Sequence, residues 1–466
     1  MKQIVTLLTF AGILFLGPPV LNAQVCFTPK VSARVDIDPV ALCPADFNGD
    51  NKPDLAVVYK GGGASHISVF LNNGMAGFST SVHFPVGVIP TSMCTADFNG
   101  DGKADLVVNS AGPGTVTVFP GNGNGTFDTL GAQTYGTLVF STSAQLCSAD
   151  FSGDGKADLV LSSGLNFVWK AIGDGLGGFL TYRRITVDNG THCVASADFN
   201  GDGKQDLAVT TFNASSHVSV LLNRGMDSFS TATNFSVGDG PTSIITTDLN
   251  NDGKMDIVTS NSPGTVSVLL GDGTGSFAAA TNIGIGTATT PKFMCAADFN
   301  GDGNKDLAIA CVVNNSVSNI TVLAGNGNGR FAPAVTFASD SFANGIVTAD
   351  FNGDGRMDLA QTASVTNNDS GRLDVLLNCV PTAIGEVAGG TKAYLYPNPG
   401  TGIFHLNAQT EISRITITNQ LGAIIYTSHI NSKKWDIDLG MQARGIYFYR
   451  LENKAGALEQ GKIIIR

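Results

Sequence analysis

Seven short acidic segments carry the most concentrated chemistry in this 466-residue chain. The first reads D-F-N-G-D-N-K-P-D over residues 46–54, and near-copies begin at Asp97, Asp150, Asp198, Asp248, Asp298 and Asp350. In each copy, side-chain oxygens fall at positions 1, 3, 5 and 9. They are Asp46, Asn48, Asp50 and Asp54 in the first loop, and Asp97, Asn99, Asp101 and Asp105 in the second. The third uses Asp150, Ser152, Asp154 and Asp158, and the fourth Asp198, Asn200, Asp202 and Asp206. The fifth, sixth and seventh use Asp248, Asn250, Asp252 and Asp256, then Asp298, Asn300, Asp302 and Asp306, then Asp350, Asn352, Asp354 and Asp358. Carboxylates crowded this closely repel one another unless a cation sits between them. All these donors are hard oxygens, with no Cys or His among them, so the pattern favours Ca²⁺ over zinc or copper, with up to seven ions per chain. Position 7 is expected to offer its backbone carbonyl, with its side chain (Lys103, Arg356) in solvent.

The spacing separates this pattern from other calcium loops. An EF-hand needs a bidentate Glu at position 12 and a following helix. Here position 12 is Val57 or Val209, inside an apolar run. A single Asp/Asn/Gly segment could be no more than a turn. Seven copies with the same three aspartates favour a metal. These loops hold twenty-one of the 38 acidic residues, so much of the net charge of −11 is ligand charge.

The loops must be positioned by strands. Their starts are 51, 53, 48, 50, 50 and 52 residues apart. Each loop is preceded by a short apolar run such as Val40–Ala45 and followed by a second such as Leu55–Tyr59. A third run follows, such as Ile67–Leu71, then a Gly-rich turn ending in Phe, such as G-N-G-N-G-T-F at 121–127. A fourth run leads to the next copy. Four strands in about 50 residues, repeated, are the signature of a β-propeller, here with seven blades. Phe27 precedes Asp46 by 19 residues, as Phe78 precedes Asp97. The chain therefore enters at a fourth strand, while the seventh copy stops after its third. Strand Phe27 to Val35 is expected to complete the seventh blade and remove an open sheet edge. Aligning the copies sets Cys379 on Asn73 and Cys26 on Gly77, two residues that flank one tight turn. A Cys26–Cys379 disulfide locking the ring is the expectation.

Both ends depart from the repeat. Residues 1–23 read as a signal peptide, with Lys2, an apolar stretch too short to span a bilayer and a cleavage-like Leu21-Asn22-Ala23. The repeat domain is expected over 24–380 and a linker over 381–391. All four glutamates and five of the eight tyrosines lie beyond Cys379. Residues 392–466 show period-2 alternation between Gly, Asn and Pro, which reads as a small β-sandwich of immunoglobulin type. No transmembrane segment is expected in the mature chain.

Composition narrows the function classes. Glycine is 57 of 466 residues and charged residues are 14%, which suits strands and turns rather than helical bundles. The acidic balance excludes a nucleic-acid binder, which must neutralise phosphates. Binding to anionic lipid through a basic patch is excluded on the same ground. Cys43, Cys94, Cys147 and Cys295 each lie three residues before a loop, where other copies have Ala195, Ile245 and Val347. That exchange marks them as small buried hydrophobes. The repeat region has no glutamate, and its histidines His66, His83, His192 and His217 are scattered. No catalytic constellation stands out. Trp169 interrupts the usual V-x-V-x-L text of its strand and reads as core packing.

The pattern strand, D-F-N-G-D-G-K-x-D-L, strand resembles the FG-GAP/VCBS repeat of integrin α-subunit propellers, over residues 27–379. The resemblance implies a seven-bladed propeller with calcium in the loop between the first two strands of each blade. It also implies adhesion or ligand binding, with lectins and propellers of polysaccharide lyases among the relatives. Y-P-N-P at 396–399, G-I-Y at 445–447 and G-K-I-I-I at 461–465 resemble the type A sorting domain of the type IX (Por) secretion system. This implies the type IX machinery as a partner and delivery through the periplasm to the cell surface or the medium. The combined expectation is a non-enzymatic binding protein for an extracellular protein or glycan. The alternative is a carbohydrate-active enzyme of lyase type on the same scaffold.

Overall fold

The computed structural model describes residues 25–61, 65–112, 114–136, 145–188, 190–212, 216–225, 228–286, 289–313, 317–339, 342–364, 371–379, 393–396, 401–419, 423–453 and 458–465. The expected signal peptide and linker lie outside the described residues. The chain divides into two compact units, Met1–Asn378 and Cys379–Arg466. Among the described residues no helix is long and apolar enough to cross a membrane.

The first unit holds seven four-stranded antiparallel sheets. The first is built from Pro39–Ala45, Asp54–Tyr59, His66–Asn72 and Phe78–Pro85. The other blades repeat this order. Their first strands are Pro90–Ala96, Leu146–Ala149, Thr191–Ala197, Pro241–Thr247, Thr289–Ala297 and Phe342–Ala349. Each first strand contacts the next, and the seventh contacts the first, so the sheets close into a propeller. Strand Phe27–Val35 pairs with Gly371–Asn378 in register Phe27↔Asn378 and completes the last blade. The strand pair removes the two sheet edges that a linear array would expose.

Burial follows strand order. The second strand, such as Asp54–Tyr59, is buried throughout. That suits its near-continuous apolar text, because both faces are covered by neighbouring sheets. The fourth strand is largely exposed, as in Phe179–Thr186. The core is therefore a set of interfaces between blades. One cluster joins Leu55, Val57, Tyr59 and Phe70 of the first blade to Phe351, Ala360, Leu373 and Val375 of the seventh.

The phenylalanines of the repeat make these interfaces regular. Phe at loop position 2 packs on the Phe that ends the Gly-rich turn of the next blade. Ring centroids lie 5.6 Å apart for Phe47 and Phe127, 5.4 Å for Phe199 and Phe277, and 5.7 Å for Phe351 and Phe78. Phe27 meets Phe299 in the same way at 5.5 Å. Burying one such ring contributes about 1.5–3 kcal/mol.

The second unit is one five-stranded sheet in the order Ala393–Tyr396, Ile403–Thr418, Gly445–Glu452, Leu458–Ile465, with Ile424–Asp438 paired along Ile403–Thr418. The register breaks between Asn407 and Ile412. Before the break the long strand pairs with Ala393–Tyr396, and after it with Gly445–Glu452. Phe404, Leu406, Ile415, Ile417, Ile437, Leu451 and Ile463 form one buried core.

Candidate metal centre

Every acidic segment is the hairpin between the first and second strands of a blade. Position 9 opens the second strand in each case, as in the pairs Ala45↔Asp54 and Ala96↔Asp105. Positions 4 and 6 have positive φ: Gly100 at 74° and Gly102 at 80° in the second loop. Asparagine replaces glycine only at Asn51 (61°) and Asn251 (59°), and it is the side chain that best tolerates this conformation. The sequence reading had singled out position 6 and missed position 4.

This winding brings positions 1, 3 and 5 together. In the first loop the N–H groups of Gly49 and Asp50 donate to Asp46 Oδ1 at 2.7 and 3.1 Å, and that of Asn51 to Asp46 Oδ2 at 2.7 Å. The N–H of Asp50 also donates to Asn48 Oδ1 at 2.9 Å. The oxygens of positions 1 and 3 therefore sit over one N–H. The seventh loop repeats this with Asp350, Asn352 and Asp354.

Position 7 corrects the sequence reading. Its side chain turns back to position 5 rather than into solvent. Nζ–Oδ2 distances are 3.0 Å for Lys52–Asp50, 3.2 Å for Lys103–Asp101 and 2.9 Å for Lys204–Asp202. The reason is steric as well as electrostatic. The Lys103 stem packs over Gly123 in the turn of its own blade, where an added Cβ would fall 2.8 Å from Lys103 Cδ. That contact carries the ammonium back over the loop. The bond from Lys52 holds the Asp50 carboxyl below its usual range, and Lys204 acts likewise on Asp202.

Position 9 has a different environment. Asp54, Asp105, Asp158, Asp206, Asp256, Asp306 and Asp358 are all fully buried. One oxygen accepts the N–H of the residue at position 2, at 3.0 Å from Phe47 and 2.9 Å from Phe98. The other accepts an N–H at the end of the third strand, at 2.7 Å from Asn72 and from Gly121. The same pair of bonds recurs in the remaining five blades. Burial pushes the carboxyls of Asp54, Asp206, Asp306 and Asp358 up to about 6, with the nearby loop aspartates adding to the rise.

The position-2 carbonyl then reaches the next blade. Phe47 O accepts the Gly125 N–H at 2.8 Å, Phe98 O that of Gly177 at 3.0 Å, and Phe199 O that of Gly275 at 2.9 Å. The acidic loop, the buried aspartate and the neighbouring turn thus form one hydrogen-bonded chain around the ring.

Among the described residues no three carboxylates, histidines or cysteines gather into a ready-made metal cage. The donor chemistry at positions 1, 3 and 5 suits a hard divalent ion. The position-9 aspartate lies beside them and is committed to backbone.

Cys26, beside the Phe27↔Asn378 pair, and Cys379, which follows Asn378, are both in disulfide linkage. Cys43, Cys94, Cys147, Cys193, Cys295 and Cys311 are free thiols. His66 and His217 each pair with an aspartate of a linking segment, Asp36 at 3.2 Å and Asp188 at 3.0 Å.

The FG-GAP-like repeat family matches six overlapping windows, 46–108, 107–161, 150–209, 198–259, 248–309 and 298–360. A secretion system C-terminal sorting domain matches residues 394–466. No curated protein matches the chain. The structure is similar to chains in crystals of BBS1N in complex with ARL6DN. In the mercury-soaked crystal the TM-score is 0.53 at 10% identity, over 77% of this chain and 99% of that one. In the lead-soaked crystal it is 0.53 at 12% identity, over 76% and 98%. At such identity the likeness concerns the fold alone.

Proposed function

Since the chain belongs to the FG-GAP-like repeat family and ends in a secretion-system sorting domain, we propose that it is a calcium-stabilised propeller that binds an extracellular protein or glycan. The protein is exported and reaches the cell surface or the medium, sorted by its C-terminal domain through type IX machinery. What supports the calcium reading is the sevenfold convergence of positions 1, 3 and 5 on one backbone N–H. Asp46, Asn48 and Asp50, with their counterparts in the other six loops, would hold the ion. A bound divalent ion would neutralise the loop carboxylates. The loops are also stitched to the next blade, so holding one loop rigid supports the ring. What supports a binding role is a rigid scaffold whose acidic residues serve its own loops and interfaces.

Two measurements test this reading. Thermal melts of the mature chain with calcium and with EDTA should differ by many degrees, because a ligand of the native state raises stability by mass action. Unchanged melting, together with no calcium by elemental analysis, removes the metal. A panel of glycans and extracellular matrix proteins should yield a retained ligand; none retained removes the binding role.

A further inference from the structure

The third blade breaks the repeat in one place, and the break is chemical. In the third strands of the other six blades, one register position is Val69, Val118, Val220, Val268, Val322 and Val375, all buried. In the third blade that position is Lys170, with only 1% of its surface exposed. The position before it is Ser68, Thr117, Ser219, Ser267, Thr321 or Asp374 elsewhere, and here it is Trp169. The outer strand changes with them. Opposite Lys170 and Trp169 stand Arg183 and Arg184. The equivalent partners in the first and fifth blades are Val82 and His83, then Thr281 and Asn282.

These substitutions build one groove. It has a volume of about 360 Å³ and is lined by Lys170, Arg183, Arg184, Phe229, Ser230 and Thr231, among others. Lys170 Nζ donates to the Phe151 carbonyl at 3.2 Å and lies 5.4 Å from the Phe229 ring centre. Its charge also acts on the buried Asp158. The Arg184 guanidinium lies over two rings, 4.6 Å from the centre of Phe167 and 4.8 Å from that of Trp169. It is oriented by stacking, which leaves its N–H fork for a planar or tetrahedral anion. Placing a buried ammonium where six blades use valine is costly for stability. Three cations on one groove also run against the −11 net charge of the chain.

We propose that this groove binds a carboxylate- or sulfate-bearing sugar unit of an acidic polysaccharide. The proposal rests on the binding role above and gives it a site and a chemistry. Arg183 and Arg184 supply paired N–H donors for the oxyanion, and Lys170 supplies a desolvated charge beneath it. The hydroxyls of Ser230 and Thr231 and the Phe229 face suit a sugar ring. The groove has the size of a small-ligand pocket, which holds a sugar unit or two rather than a folded partner.

Titration calorimetry on the mature chain with calcium present tests this. The probes are oligouronates, sulfated oligosaccharides, neutral oligosaccharides of equal length, inorganic sulfate and an oligo-aspartate peptide. The variants are Arg183→Gln with Arg184→Gln, Lys170→Val, which restores the residue of the other blades, and Arg330→Gln on the sixth blade as a control. An acidic oligosaccharide should bind the wild type, with the uronate and sulfate series deciding which oxyanion is preferred. Neutral sugars should not bind, and affinity should fall with salt. Binding should weaken roughly tenfold or more in the groove variants at unchanged melting temperature, and stay the same in Arg330→Gln. Equal binding by the groove variants, a preference for the peptide, or inorganic sulfate bound as well as the sugars would overturn the proposal. If the wild type retains some other extracellular ligand regardless of the groove, the groove assignment fails and the binding role stands. If it retains nothing, both fail.

Discussion

The side-chain amide of Asn72 donates to the carbonyl of Phe351 at 2.9 Å, joining residues 279 positions apart. Beside it the Ala76 N–H donates to the same carbonyl at 3.0 Å. The first blade is thus bonded to the acidic loop of the seventh. Asn223 and Asn378 make the same contact to Phe151 and Phe299. The second, third, fifth and sixth blades have glycine at this position, at Gly121, Gly173, Gly271 and Gly325. Replacing Asn72 with glycine is therefore compatible with the backbone. It should remove about 1 kcal/mol of stability and lower the melting temperature by a few degrees. A melt of the Asn72→Gly variant checks this, and an unchanged midpoint would deny the bond a role in closure.

Positions 5 and 9 of one loop should respond differently to the same change. Asp101 is exposed and pairs with Lys103, whereas Asp105 is buried and accepts two backbone N–H groups. Asp105→Asn turns an amide donor toward one of those N–H groups. It should cost about 1–3 kcal/mol with or without calcium. Asp101→Asn should leave the EDTA melt near wild type and reduce only the gain from calcium. Equal effects of the two changes in EDTA would contradict the division of roles.

Stability without divalent ions should rise on mild acidification. Asp54, Asp206, Asp306 and Asp358 have carboxyls raised by burial to about 6, against ~3.9 in an unfolded chain. As pH falls from about 7.5 to about 5.5, the folded state binds more protons than the unfolded state, so unfolding becomes less favourable. Asp50 and Asp202 are lowered and matter only at more acid pH. His192, lowered by burial, opposes the trend as one group against four. Melts in EDTA at the two pH values give the sign. A lower midpoint at pH 5.5 would show that these carboxyls are not raised.

The thiols should be silent in the native state. Burial pushes Cys94, Cys193 and Cys295 up to about 12 and Cys311 to about 11, and it raises Cys43 and Cys147 as well. The thiolate is the reactive form. Alkylation at pH 8 should label none in the folded protein and six after unfolding without reductant. All eight should label only after reduction, with Cys26 and Cys379 recovered in one cross-linked peptide. Eight labels without reductant would rule out the bridge.

The repeat, its strand order and the closing strand were legible in the text because each follows from local pattern. Period-2 alternation, glycine at turns and the phase of Phe27 against Phe78 all lie within one 50-residue unit or compare two of them. The loop oxygens were legible for the same reason, since positions 1, 3 and 5 meet within a single turn. Trp169 was visible only as an interruption. Its meaning depended on strand pairing, which sets it beside Arg184, and on the neighbouring blade, which brings Phe229 over Lys170. The burial of Asp54 and its partners was equally hidden, because it is created by the third strand and the next blade folding over the hairpin. Local sequence determines which residues can turn, pair and alternate. Which carboxylate is desolvated, and which cations converge on one groove, is decided by contacts between segments far apart in the chain, and those exist only once the ring has closed.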